Sequence, residues 1–168
     1  VTNLCQRRLS DAGIGTDDVI STSERTLSPS DFGFHNCLRR PNGELVFLDF
    51  EYFGWDDPAK MVSDFLMHPG MSLSFSAKQR FLSGILDRCD FATNFKSRLN
   101  GVYPLWGLKW TLIMLNEFVP EHLRRRRFAL GDAETGVERR VNQLEKAGKF
   151  MDALVSTTAT GTIEDWIR

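Results

Sequence analysis

The sequence predicts a single α+β domain that is mostly helical and carries one small β-hairpin. Three observations predict it. From Ala59 onward, apolar residues recur at steps of three and four, which is the spacing of amphipathic helices. The Asn-Gly pair at 42–43 separates two short apolar segments and indicates a hairpin turn, because both residues tolerate positive φ. The length of 168 residues suits one domain with its own core.

The composition is globular and excludes several classes of function. Hydrophobic residues make up 42% and charged residues 26%, which excludes a disordered or collagen-like chain. The formal net charge is -1, so we expect neither nucleic acid nor a membrane surface as a partner. No apolar run approaches the ~18–20 residues of a membrane span. Three widely spaced cysteines indicate a reducing compartment, and we therefore predict a cytoplasmic protein.

The first part of the chain is predicted to be irregular around the hairpin. In chain order we expect a short helix over 1–12, a turn or short helix over 17–25, an extended segment over 26–29, a loop over 31–36, hairpin strands over 37–40 and 45–50, and a loop over 51–58. The extended segment follows from Pro29, since a residue before proline avoids the helical region.

The second part is predicted to be a series of helices. We expect helices from 59 to about 69, from a cap at Ser74 or Ser76 past 86, from about 92 past 99, from 104 to about 119, from 121 to 130, and from after 131 to about 155. Pro104 is expected to open its helix, because proline is favoured in a first helical turn. The domain therefore divides into a hairpin region over 26–58, a helical region over 59–155 and a loose tail over 156–168.

Three polar residues in the hairpin region indicate chemistry. Asp31 lies in a glycine-containing loop, Asn36 follows five positions later, and Asp49 follows Asn36 by thirteen at the end of an apolar strand. A hairpin brings its two ends together, so Asn36 and Asp49 are expected side by side. Their oxygens would form a hard site suited to Mg²⁺. Asp31, across the loop, would accept a proton from a substrate hydroxyl.

The order and spacing D-x4-N, followed by aspartate after thirteen residues, resembles the catalytic loop and metal-binding aspartate of eukaryotic-like kinases. In detail, the segment LDFEYFGWDDPAKMVSDF is similar to one found in the aminoglycoside phosphotransferase and choline kinase family. That segment has a hydrophobic residue, D-x-E, a short aromatic loop, D-P and a further aspartate on a helix. The resemblance covers about 27–65.

The resemblance implies the carboxy-terminal lobe of a protein-kinase-like fold, with ATP and Mg²⁺ as cofactors and a small-molecule hydroxyl as acceptor. It implies that Asp31 orients or deprotonates the acceptor, and that Asn36 and Asp49 bind Mg²⁺ bridging the nucleotide phosphates. It also implies that Asp64 supports the catalytic loop through hydrogen bonds to the loop backbone. Glu51 would lie beside the metal or the substrate.

The chain departs from the family pattern in two places. Pro29 and Ser30 stand where the family usually has His-Gly before the catalytic aspartate. Residues 1–26 contain no lysine and no glycine-rich phosphate loop, so the amino-terminal nucleotide lobe is expected to be absent. We therefore expect little kinase activity from these 168 residues alone. We also expect an exposed apolar face that favours self-association.

Several features have a second interpretation. Asp56 and Asp57 would bind a cationic substrate or second metal, or would form an acidic helix start ahead of Pro58. Trp55 and Trp106 would form an aromatic substrate wall, or would pack as core. The run 124–127 of four arginines would contact phosphate, or would be a solvated face. The three histidines form no zinc-binding pattern. For the whole chain, the alternative function is a non-catalytic kinase-like binding or scaffold module.

Overall fold

The structure, a computed structural model, describes residues 1–91, 93–121 and 136–166. It is an α+β domain and mostly helical, as the sequence predicts. Its described helices are α1 (Thr2–Asp11), α2 (Pro58–Met67), α3 (Phe75–Arg88), α4 (Phe95–Met114) and α5 (Gly136–Thr160). Short 3₁₀ turns lie at Thr22–Glu24, Phe34–Asn36, Leu115–Phe118 and Ile163–Trp166. The predicted basic helix over 121–130, with its four arginines, lies outside the described residues except for Glu121.

The hairpin region consists of two antiparallel pairs, one nested inside the other. The strands are β1 (Thr26–Ser28), β2 (Cys37–Arg39), β3 (Leu45–Phe47) and β4 (Gly54–Asp56). β2 pairs with β3 as the predicted hairpin, and β1 pairs with β4 outside it. The prediction of a continuous loop over 51–58 is therefore wrong, because Gly54–Asp56 form a strand. Leu27 lies directly opposite Trp55 in the outer pair, and such cross-strand contacts stabilise short ribbons.

The helix α4 passes through Pro104, so the prediction of two separate helices with Pro104 at a first turn is wrong. A proline inside a helix cannot donate a hydrogen bond to the carbonyl four residues earlier, which here belongs to Asn100. The Arg8 guanidinium of α1 donates to that carbonyl at 3.2 Å. The helix continues because a neighbouring helix supplies the hydrogen bond that proline removes.

The core lies where α2 packs between the other helices. Every residue of α2 except Lys60 is buried. The cluster around it includes Leu82 of α3, Leu99 and Tyr103 of α4 and Leu154 of α5, all nearly inaccessible to solvent. Two glycines let α4 approach its neighbours, since a Cβ at Gly101 would collide with Leu9 of α1, and one at Gly107 would collide with Leu154.

The carboxy-terminal segment is ordered against the core, so the predicted loose tail is wrong for 156–166. Helix α5 continues to Thr160, and Ile163 beyond it is fully buried. Arg8 also donates to the carbonyls of Thr158 and Gly161, at 2.9 and 2.8 Å. A cation at a helix carboxyl end satisfies carbonyls that have no partner within the helix.

No helix in the described ranges combines the length and apolar character needed to cross a membrane. The three cysteines are free thiols.

Candidate functional site

The Asp31 carboxylate lies against two histidines. The Nε2 atom of His35 is 3.1 Å from Asp31 Oδ1, and Nε2 of His68 is 3.7 Å from the same oxygen. The two imidazole rings stack at 3.7 Å with only 4° between their planes. His35 comes from the loop after Asp31, whereas His68 follows the end of α2. The Asp31 side chain keeps 43% of its surface exposed, so one side of the carboxylate faces solvent.

The hydrogen bonds around these rings determine which nitrogen carries the proton. Nδ1 of His68 accepts from the Gly70 amide at 3.1 Å, so the proton of the neutral ring is on Nε2, which faces Asp31. Burial, and then the neighbouring His35, lower the pKa of His68 to about 4, and the ring is neutral at pH 7. Nε2 of His35 must likewise carry its proton to donate to the carboxylate.

Asp31, His35 and His68 are also residue types that bind metal ions, and their potential ligand atoms all lie within 4.8 Å of one another. A metal-bound histidine donates its remaining N–H to an acceptor. The second nitrogen of His68 instead accepts a hydrogen bond from Gly70, and Nδ1 of His35 is buried without a hydrogen-bond partner in the described part of the chain. The arrangement is therefore one of two N–H groups directed at a carboxylate.

The Asp31 loop is attached to the core by aromatic packing. Phe32 stacks on Phe65 of α2 at 5.0 Å between centroids. Gly33 lies so close to Met71 and the His35 ring that a Cβ there would be 2.5 Å from the methionine sulfur. The loop is thus held from both sides, which gives the Asp31 carboxylate a defined position.

The backbones of Asn36 and Asp49 come close to each other at the open end of the hairpin. The Leu48 amide donates to the Asn36 carbonyl at 2.9 Å, which continues the β2–β3 ladder by one residue and brings Asp49 next in line. The Asn36 side chain donates from Nδ2 to the Asp31 carbonyl at 2.9 Å. Its Oδ1 atom is left as an acceptor, and Asp49 is exposed and forms no ion pair with a described lysine or arginine.

The backbone is strained on both sides of this site. Ser30 has φ of 61° and Asp49 has φ of 62°, a left-handed conformation that non-glycine residues seldom adopt. Such residues cost on the order of 1 kcal/mol each and cluster at functional sites. One lies immediately before Asp31, and the other is the expected metal ligand.

The exposed Tyr52 hydroxyl is influenced by the acidic side chains of the loop. The pKa of the exposed Tyr52 hydroxyl is raised, first by a hydrogen bond to Glu51 and by the Glu51 charge, and further by the charges of Asp49 and Asp31. All three carboxylates therefore act on one phenol at the surface of the hairpin region. Glu51 thus acts mainly on Tyr52, and its place beside a metal or substrate remains a prediction.

Lys60 connects the start of α2 to the Asp31 loop. Its ammonium pairs with Asp56 at 2.5 Å and Asp64 at 3.5 Å, and it lies 3.4 Å from the Ser30 hydroxyl. Burial alone would lower the pKa of Lys60, but the hydrogen bonds and charges of Asp56 and Asp64 outweigh it and raise that pKa. Asp56 is thus already neutralised by a lysine, whereas Asp57 caps α2 by accepting from the Ala59 amide at 2.8 Å. The helix-start interpretation of this pair is confirmed for Asp57.

Asp64 has different contacts from those that the family resemblance implies. Its nearly buried carboxylate lies between the ammonium groups of Lys60 and Lys109, the latter at 3.2 Å. It reaches the loop through Lys60 and Ser30, where direct hydrogen bonds to the loop backbone were expected. The connection is indirect because the Lys60 ammonium lies between the Asp64 carboxylate and the Ser30 hydroxyl.

The two tryptophans named as candidates lie in different environments. Trp106 is half-buried, with the Lys109 ammonium 4.3 Å from its ring centroid, which is a cation–π contact. It lines a cavity of about 320 Å³ together with Asp57 and Arg98. Trp55 is 66% exposed on β4 and packs in neither the core nor that cavity.

The sequence analysis missed His35 and His68 as partners of Asp31. The two histidines are 33 positions apart, and no local pattern relates them. The signal available in the sequence was His35 four residues after Asp31, a spacing that lets two side chains meet within one turn.

Comparisons of this chain with protein-family models, with curated proteins and with solved structures found no match.

Proposed function

We propose that this domain is the acceptor-binding and Mg²⁺-binding half of a phosphotransferase, similar to the aminoglycoside phosphotransferases and choline kinases. It would act in the cytoplasm, where its three free thiols stay reduced. The reaction would move the terminal phosphoryl group of ATP to a hydroxyl of a small molecule. The single observation that carries the proposal is the Asp31 carboxylate, which is within hydrogen-bond distance of His35, has the His68 ring 3.7 Å from the same oxygen, and keeps 43% of its side chain exposed.

The environment of Asp31 suits a general base. His35 donates to Oδ1, and Oδ2 would accept a proton from an acceptor hydroxyl. The stacked rings and the Phe32 anchor restrict the orientation of the carboxylate. Positioning of this kind contributes much of the rate in phosphoryl transfer, because the reaction needs an aligned nucleophile more than covalent help from the protein.

The proposed magnesium ligands are the side chains of Asn36 and Asp49. Both offer hard oxygen atoms, and the hairpin brings their backbones to adjacent positions. Asp49 carries a charge that no described cation neutralises. When bound there, Mg²⁺ would neutralise charge on the nucleotide phosphates. The lysine and the phosphate loop that a kinase also needs are not among residues 1–26, and we propose that they belong to another segment or chain.

The proposal is tested with the full product of the coding sequence, by measuring conversion of ATP to ADP with a panel of hydroxylated sugars, amines and acids. With the best acceptor, Asp31→Asn is expected to lower kcat by on the order of 10²–10⁴. The matched control is Asp87→Asn, an exposed aspartate on α3, which is expected to leave kcat unchanged.

The alternative function, a non-catalytic binding module, predicts the opposite result. It is favoured if no acceptor stimulates ATP consumption, or if Asp31→Asn is as active as the control. Isothermal titration provides a second measurement, since Asp49→Ala should weaken Mg²⁺-dependent nucleotide binding by the full product, whereas Asp87→Ala should not.

A further inference from the structure

A second cavity is lined by His68 and by residues outside the hairpin region. It has a volume of about 540 Å³, within the range of small-molecule sites. The segment after α2, the start of α3, the end of α4 and the middle of α5 form its walls. Nothing in the proposed function uses these residues apart from His68.

The charges lining this cavity all have the same sign. Three lysines line it, Lys78 from α3 and Lys146 and Lys149 from α5, and no carboxylate lines it among the described residues. Lys149 pairs with Glu145 at 2.6 Å on the exposed side of α5. At pH 7 the neutral His68 adds no charge.

Lys78 is the most informative of the three. Its side chain is half-buried, and in the described part of the chain no carboxylate lies within ion-pair distance of its ammonium. Burial lowers the pKa of Lys78, with no opposing contribution from a counter-charge. Removing an ammonium from water without a partner is unfavourable, and a bound anion would offset that cost.

The remaining walls are mainly apolar. Met67, Met114 and Phe150 line the cavity together with leucines from α2 and from the segment after it. A ligand that fits must therefore combine an anionic head group, facing the lysines, with an apolar body. Methionines add adaptability to such walls, because their unbranched side chains fit irregular shapes.

We infer that this cavity binds a small molecule with a carboxylate or phosphate head group and an apolar body, with the head group held by Lys78 and Lys146. His68 belongs both to the cavity wall and to the Asp31 cluster, so this residue connects the cavity to that cluster. The inference is independent of phosphoryl transfer, because binding is measured without nucleotide.

The test is isothermal titration of the protein with four probes that share one apolar body: phenylpropionate, phenylpropyl phosphate, phenylpropanol and phenylpropylamine. The two anions are expected to bind at least about tenfold more tightly than the alcohol, and the amine more weakly than all others. The comparison between the carboxylate and the phosphate identifies the preferred head group. Equal affinity for amine and carboxylate, or binding of none of the four, would overturn the inference.

Variants of the cavity lysines test whether the anionic probes bind in this cavity. Lys78→Met keeps the length of the stem but removes the charge, and should abolish the preference for anions while leaving the affinity for phenylpropanol unchanged. Lys146→Met should reduce that preference in the same direction, which provides a second measurement if Lys78→Met does not fold. The control is Lys96→Met, an exposed lysine on α4 outside the cavity, which should bind as wild type does. An unaltered anion preference in both cavity variants would contradict the assignment.

Discussion

The helical region and the hairpin region use apolar residues in opposite ways. In α2 every residue but Lys60 is buried, and Asp64 is included in that core with two lysines to neutralise it. The hairpin region exposes most of its large apolar side chains: Leu27, Phe34, Leu38, Leu45, Phe47, Leu48, Phe50, Tyr52, Phe53 and Trp55. An exposed apolar surface of this kind is typical of a face that meets a partner or a ligand.

The difference indicates how each region is stabilised. The helices are held by burial, whereas the two short strand pairs are held by backbone hydrogen bonds and by a few attachments to α2. Among these attachments are the Phe32 stack on Phe65, the Lys60 ion pairs and the Asp57 cap. Three experiments would break or sharpen this comparison.

The largest effect is expected from truncating a core leucine. Leu99 is fully buried in α4, and Leu99→Ala should lower the free energy of unfolding by about 3 kcal/mol, because it leaves a cavity. The matched change in the hairpin, Leu38→Ala, removes a side chain that is 60% exposed and should cost less than about 0.5 kcal/mol. Urea denaturation of both variants checks this prediction. Equal losses would show that the hairpin surface is buried in solution.

The next largest effect is the pH dependence of stability due to His68, which lies where the helical region meets the hairpin region. Burial and the neighbouring His35 lower the pKa of His68 from 6.5 to about 4. The unfolded state therefore binds more protons between these values, and stability falls as the pH falls from 6.5 towards 4. The loss attributable to His68 between pH 7 and pH 5 is about 2 kcal/mol.

Urea denaturation of wild type and His68→Gln at both pH values isolates this contribution, since other titrating groups are common to the two proteins. The stability difference between them should change by about 2 kcal/mol between the two conditions. A difference that stays constant with pH would contradict the buried, neutral state of His68. Titration of the imidazole proton by NMR provides an independent measurement of its pKa.

The smallest effect is expected at the first turn of α2. Asp57 caps the helix and also accepts from Arg98 Nε of α4 at 2.7 Å, with both side chains mostly buried. Asp57→Ala should cost about 1.5 kcal/mol, because a cap and the partner of a charged group are lost together. Ser74→Ala, which removes only the exposed cap of α3, should cost about half as much. Equal costs would mean that the contact with Arg98 contributes nothing.

The sequence predicted the features that depend on neighbouring residues. The Asn42-Gly43 turn specified the hairpin, and the Ser74 cap specified the start of α3, because both signals act within four residues. The proximity of the Asn36 and Asp49 backbones followed from the hairpin alone. Their binding of a metal ion remains a prediction.

The features that sequence reasoning did not predict depend on distant residues. The pairing of β1 with β4 joins segments about thirty positions apart, and the three-residue strands are too short to show a pattern. Pro104 was expected to begin a helix, but Arg8 supplies the missing hydrogen bond from another helix. The partners of Asp31 were missed because His68 lies beyond the end of α2, where only the folded chain brings it to the loop.

The contacts of Arg8 also bear on the lifetime of the folded state. This side chain joins α1 to carbonyls that are 92, 150 and 153 positions away along the chain. Contacts that close such long loops carry a large entropic cost and are expected to form after the rate-limiting step of folding. Arg8→Met should therefore accelerate unfolding and leave the folding rate almost unchanged, as stopped-flow measurements would show. A single guanidinium would thus govern how long the molecule stays folded, with little influence on how quickly it folds.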